Sequence, residues 1–221
     1  MRNFVLPILT LLATVCDFTS AVNNCLVGGS NDKCQFVLST TLSLGNCGIT
    51  DAYWDDLVSC ISAFGEDNIQ TLDLEDNALT TLPAGIFDSL TSLKFLILSE
   101  NQLTTLPAGI FDSLTSLVVL DLNDNALTTL AAGIFDSLTS LVVLYLNDNM
   151  LTTLPAGIFD SLTPLVELYL YDNALTTLAA GIFDLLTSLT RLSLTGNALE
   201  CAPSAPIDPE VDAGVDDLDE C

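Results

Sequence analysis

The side chains that could do chemistry in this protein are carboxylates and thiols. Among 221 residues there are 29 Asp and Glu, 7 Cys and no His. Without imidazole there is no Ser-His or Cys-His nucleophile pair, no imidazole zinc ligand and no ordinary general base. Paired carboxylates hydrolyse glycosides only inside an enclosed cleft that drives their pKa values apart. Asp121-x-Asn123-x-Asn125 matches the opening of a calcium loop, but Ala126 stands where that loop needs Gly and Ala132 where it needs Glu. No glycine-rich phosphate loop and no G-x-S-x-G is present. We therefore expect no enzymatic activity, no metal site and no cofactor. The formal net charge is −25, with only four basic residues. Such a chain cannot neutralise a phosphate backbone and is repelled by anionic membrane surfaces.

The thiols point instead to an oxidising compartment. Arg2 followed by the uncharged run Phe4 to Cys16, then Thr19-Ser20-Ala21, has the form of a secretory signal cleaved after Ala21. The run is 13 residues, short of the roughly 20 a membrane span needs. Removing residues 1–21 removes Cys16 and leaves Cys25, Cys34, Cys47, Cys60, Cys201 and Cys221. An even set in an exported chain is expected to be bridged. The four N-terminal cysteines allow three pairings, of which Cys25–Cys34 with Cys47–Cys60 is preferred; Cys201 and Cys221 are expected to pair with each other. No N-glycosylation sequon occurs. The acidic C-terminus is not that of a lipid-anchor signal.

Half the residues are hydrophobic, and the mean hydropathy is +0.55. Their order explains this. Leu72, Leu96, Leu120, Leu144, Leu168 and Leu192 open successive units 24 residues apart, each close to L-x-L-x-D-N-A-L-T-T-L-P-A-G-I-F-D-S-L-T-S-L-x-x. An irregular unit begins at Leu42, with Cys47 in place of the Asn. The motif L-x-x-L-x-L-x-x-N/C-x-L resembles the leucine-rich repeat. The unit length and the Pro-Ala-Gly-Ile-Phe-Asp phrase are similar to the extracellular subclass found in Toll-like receptors and lamprey variable lymphocyte receptors. The resemblance implies an α/β solenoid: a horseshoe with a parallel concave sheet, short helical turns on the convex side and disulfide-stabilised caps. It divides the chain into a signal peptide (1–21), an N-terminal cap with an irregular first repeat (22–66), the repeats (67–200) and an acidic C-terminal cap or tail (201–221).

Elementary chemistry supports the same architecture. L-x-L is a short alternating strand, and a return after 24 residues demands parallel pairing with a crossover. One unit cannot bury its apolar face, whereas a stack buries a continuous core. Asn77, Asn101, Asn125, Asn149, Asn173 and Asn197 then form a column whose amides must find partners. Phe87, Phe111, Phe135, Phe159 and Phe183 form a second column. Gly85 and its equivalents suit a turn that a side chain would penalise. The Asp after each Phe is placed to cap a helical turn. Trp54, Leu57, Val58 and Ile61 recur at helical spacing in 50–64, which predicts a capping helix.

Function should then lie on the residues that flank the strand leucines, where the units differ most. Phe95, Ile97, Val119, Val143, Tyr145, Tyr169 and Tyr171 are expected to form one apolar patch across four strands, with Asp121, Glu167 and Arg191 beside or within it. Exposed tyrosines among apolar neighbours suit a binding surface. Asp76, Glu100, Asp124, Asp148 and Asp172 line the strand ends. Like charges ~5 Å apart in water repel by about 0.8 kcal/mol, so this column must be solvated, bind cations or meet a basic partner. The expected protein is a secreted monomer that binds a protein or glycan through its concave face, in recognition or defence. A structural or adhesion role and inhibition of a secreted hydrolase are the alternatives. Ligand identity is not legible, nor whether the chain is part of a longer repeat array.

Overall fold

The computed structural model describes residues 40–64, 66, 69–200 and 210–212. The expected signal segment (1–21) and Cys25, Cys34, Cys201 and Cys221 lie outside them, as does the side chain of Cys60. Cys47 is disulfide-bonded.

Eight three-residue strands form one parallel sheet in sequence order. They are β1 (Thr41–Ser43), β2 (Thr71–Asp73), β3 (Phe95–Ile97), β4 (Val119–Asp121), β5 (Val143–Tyr145), β6 (Glu167–Tyr169), β7 (Arg191–Ser193) and β8 (Glu210–Asp212). The register follows the repeat: Leu42, Leu72, Leu96, Leu120, Leu144, Leu168 and Leu192 are successive Cα partners. The irregular first unit therefore joins the stack. The acidic tail adds a strand of its own, with Val211 opposite Leu192.

The five complete units, opening at Leu72, Leu96, Leu120, Leu144 and Leu168, close on the same three devices. Its leucines and its Ile-Phe pair point inward, and the five column phenylalanines have no exposed surface. Their rings stack at centroid spacings of 6.0 to 6.5 Å. Burying each such side chain stabilises the stack by roughly 1.5–3 kcal/mol. The asparagine column is the second device. Asn149 accepts from Leu127 N–H at 3.0 Å and donates to Leu122 O of the preceding unit at 2.9 Å. It also donates to Leu146 O and Asn147 O of its own unit. The same pattern runs from Asn77 to Asn197. Each amide thus satisfies backbone groups that the turn leaves without sheet partners.

The third device is a left-handed turn at each strand end. Asp76, Glu100, Asp124, Asp148 and Asp172 all have φ between 48° and 53°, and Asn46 and Gly196 hold the equivalent positions at φ 54° and 70°. The acidic column is therefore also a conformational requirement: Asn, Asp and Gly are the residues that enter this region most readily. In the partial sixth unit, Gly196 leaves room for the Asp172 carboxylate, which a Cβ at that position would strike.

Opposite the sheet, the expected helical turns are shorter than a helix. Ile86, Asp88, Leu90 and Leu93 N–H groups donate to Pro83, Gly85, Phe87 and Leu90 carbonyls at 2.9 to 3.2 Å. These are successive single turns with three-residue spacing. Gly85, at φ 74°, interrupts any right-handed helical run. The aspartate after each phenylalanine does not act as the expected cap. The Asp88 carboxylate instead folds back over Gly85, 2.8 Å from where a Cβ would stand. That contact, with the positive φ, explains the glycine.

The N-terminal helix is present. A 3₁₀ turn (Asp51–Tyr53) leads into α1 (Trp54–Phe64). Thr50 caps the turn by accepting from Ala52 N–H at 3.4 Å. Trp54, Leu57 and Ile61 are buried against the stack, but Val58 is 45% exposed. One residue beyond Leu57, it is rotated about 100° round the helix and clears the contact face. Asp51 ties this cap to the first regular unit. Its carboxylate accepts from the Thr80 and Thr81 N–H groups at 2.9 and 3.3 Å, and from both hydroxyls. Burial alone would raise its pKa, but these hydrogen bonds outweigh that and hold the carboxyl below its usual range.

Candidate functional site

The residues flanking the strand leucines stand on the open face of the sheet in rows set by the register. The first row is Thr71, Phe95, Val119, Val143, Glu167 and Arg191; the second is Asp73, Ile97, Asp121, Tyr145, Tyr169 and Ser193. Neighbouring strands are about 4.8 Å apart, so adjacent members of a row are in reach of each other. Phe95 is 39% exposed, and Ile97, Val119, Val143, Tyr145, Tyr169 and Tyr171 are each partly exposed. The structure brings together the residues expected to form the patch.

Its centre is an aromatic cluster. The Tyr145 and Tyr169 rings are 7° from parallel with centroids 4.9 Å apart. Tyr171 meets Tyr169 edge to face at 6.4 Å. The Tyr169 hydroxyl donates to Glu167 Oε2 at 2.8 Å and accepts from Arg191 Nη1 at 2.9 Å. Arg191 Nη1 also pairs with Glu167 Oε1 at 3.0 Å. A pair this exposed contributes at most about 1 kcal/mol, but it fixes where the phenol points. Burial raises the pKa of all three tyrosines, so they act as neutral hydrogen-bonding groups.

Asp121 is the outlier of the face. It lies between Ile97 and Tyr145 in the register, and its Oδ1 accepts a hydrogen bond from Asn123 N–H at 3.1 Å. Burial is the main cause that pushes its pKa up to about 6; Glu75 and Asp124 add to it, and the Asn123 amide opposes. Sequence reasoning placed Asp121 on the face but not its burial. The signal was present in its two large apolar row neighbours.

Glu75, Ser99, Asn123, Asn147, Tyr171 and Thr195 form a third row just past the strands, where alternation alone would turn each side chain outward. Two of them do not follow it. Ser99 is 3% and Asn147 1% exposed. The left-handed turn begins at the next residue, and it tucks these short side chains beneath the face. Asn147 donates to Asp148 Oδ2 at 2.8 Å. The Oδ1 atoms of Asn123 and Asn147 are buried without a hydrogen-bond partner.

At the N-terminal end of the face, Ser43, Asn46, Asp73, Glu75, Asp76 and Glu100 line an open cleft of about 340 Å³. Asp73 accepts from Ser43 Oγ at 2.9 Å and from Glu75 N–H at 3.1 Å. Burial and the neighbouring carboxylates Asp73, Glu100 and Asp76 raise the Glu75 pKa. Among the described residues no three Cys, Asp or Glu side chains converge as metal ligands, and no helix is long and apolar enough to cross a membrane.

These repeats match the leucine-rich repeat family model over residues 67–127, 96–151 and 139–199. The chain belongs to the leucine-rich repeat family. It is similar to the solved structure of a leucine-rich repeat protein of Leptospira interrogans, with 35% identity and a TM-score of 0.59 over 65% of this chain. The chain spans 35% of that protein's length. No curated protein matches it. Leucine-rich repeats commonly mediate protein binding and are generally non-enzymatic modules.

Proposed function

We propose that this chain is a secreted, non-enzymatic recognition protein that binds a protein ligand, as a monomer, on the open face of its sheet. In the extracellular subclass it resembles, that face is the concave one. The observation that carries the reading is the tyrosine cluster. Tyr145, Tyr169 and Tyr171 stay partly exposed, although burial would stabilise them, and rigid aromatic side chains supply contact area at low entropic cost. They continue through Val143 and Val119 to Phe95 along the first row, while in the second row Asp121 stands between Tyr145 and Ile97. The leader and the disulfide-bonded Cys47 support secretion. A matrix spacer has no use for an aromatic cluster confined to a few neighbouring strands.

The test is affinity capture from extracellular fluid of the native source, with the wild-type chain and the Tyr145→Ala/Tyr169→Ala double variant as baits. A partner retained by the first and lost by the second, at unchanged melting temperature, supports the reading. Equal retention on both baits refutes it.

A further inference from the structure

Asp121 sits at the foot of a tyrosine wall. The Tyr145–Tyr169 stack runs along the direction in which strands add, since its 4.9 Å centroid spacing matches the ~4.8 Å between strands. The free face of Tyr145 therefore turns toward β4, where its register partner is Asp121. Ile97 closes the other side. The carboxylate has one backbone N–H donor and no ion-pair partner among the described residues. Of the two basic side chains there, Arg191 is held by Glu167 and Tyr169, and Lys94 forms no ion pair. Glu167, the other acid of the patch, is thus neutralised from within the chain, and Asp121 is not.

We propose that the partner is a protein whose docking segment places a lysine or arginine over Asp121, between Ile97 and the free face of Tyr145. A cation there meets the carboxylate and the negative face of the ring together. Its aliphatic stem covers Ile97 and Val119, as long basic side chains do when they bury their methylenes. Glu75 and Asp124 act on Asp121 as like charges, and the same potential attracts a cation. The segments on either side of the basic residue should be apolar, to match Phe95 and Val119 on one side and Tyr169 and Tyr171 on the other. The inference rests on the sheet-face reading above and names the chemistry of the partner.

The probe is a random dodecapeptide phage library selected against the intact protein, with the enriched peptides synthesised and titrated by calorimetry. Enriched peptides should share one Lys or Arg within an apolar run. Asp121→Asn should weaken them at least tenfold, and so should Tyr145→Ala. Replacing the shared basic residue by Gln should weaken binding to the wild type but add no further loss on the Asp121→Asn background. Asp184→Asn removes one charge from an exposed position away from the sheet and should leave affinity unchanged; equal weakening by both Asp variants would mean long-range attraction alone and overturn the inference. Peptides sensitive to Tyr145→Ala but not to Asp121→Asn, with no shared basic residue, would overturn it while the sheet-face reading stands. Peptides indifferent to both substitutions, or no enrichment, would overturn both.

Discussion

Tyr145 and Tyr169, 24 residues apart in the chain, stack with centroids 4.9 Å apart on the open face of the sheet. Offset pairs of this kind contribute about 0.5–1.5 kcal/mol beyond area burial. A double-mutant cycle with Tyr145→Ala and Tyr169→Ala, read by urea unfolding, should give a coupling energy in that range. Each single variant should stay folded, because no backbone group depends on either side chain. A coupling near zero would mean that the rings do not stack in solution.

Asp121 should make the protein less stable at neutral pH. Its folded-state pKa is about 6 against an ordinary 3.8, so the folded form takes up the proton more readily than the unfolded one. Stability from this group is therefore gained as pH falls from above 6 toward 4 and is missing at pH 7.5. Asp121→Asn should stabilise the protein at pH 7.5 by on the order of 1–2 kcal/mol, after allowance for solvent screening at the open face. The advantage over wild type should vanish near pH 4. An equal advantage at both pH values would point to a cause other than charge burial.

Asn149 bridges two units through Leu127 N–H and Leu122 O. Asn149→Ala leaves Leu127 N–H buried without a partner, at about 1–3 kcal/mol, and leaves Leu122 O with only the Asn125 amide, at 3.2 Å. We expect a total loss of about 2–4 kcal/mol in chemical denaturation. Thr153→Ala, at an exposed position in the same unit, should cost less than about 0.5 kcal/mol. If the two variants matched, the amide column would not be holding the units together.

Glu100 occupies the left-handed turn at φ 52°, where the other units have Asp, Asn or Gly. Glutamate tolerates that region least of the four. Glu100→Asn should raise stability by about 0.5–1 kcal/mol, seen as a higher melting temperature. Glu100→Gln removes the same charge without easing the turn and should gain much less. Equal gains from both would assign the effect to charge repulsion along the column.

The repeat phase, the parallel sheet, the asparagine and phenylalanine columns and the rows of the open face were all legible in the sequence. Each follows from a 24-residue period and the alternation of side chains along a strand, which need no knowledge of the third dimension. The family match rests on the same residues. Three things were not legible. The aspartates after the phenylalanines are copied as faithfully as any framework residue, yet their carboxylates fold over glycines instead of capping helices, because each glycine three residues earlier leaves open the space that a Cβ would fill. Asn147 and Ser99 look outward by alternation, but the turn after each strand draws them under. Asp121 looks like one more surface acid. Only the stack, by setting Ile97 and Tyr145 on either side of it, takes part of its water away while leaving it partly exposed. Periodicity determines which residues share a row. How much water each one keeps depends on the size of its neighbours across strands, and those neighbours are assembled only by folding.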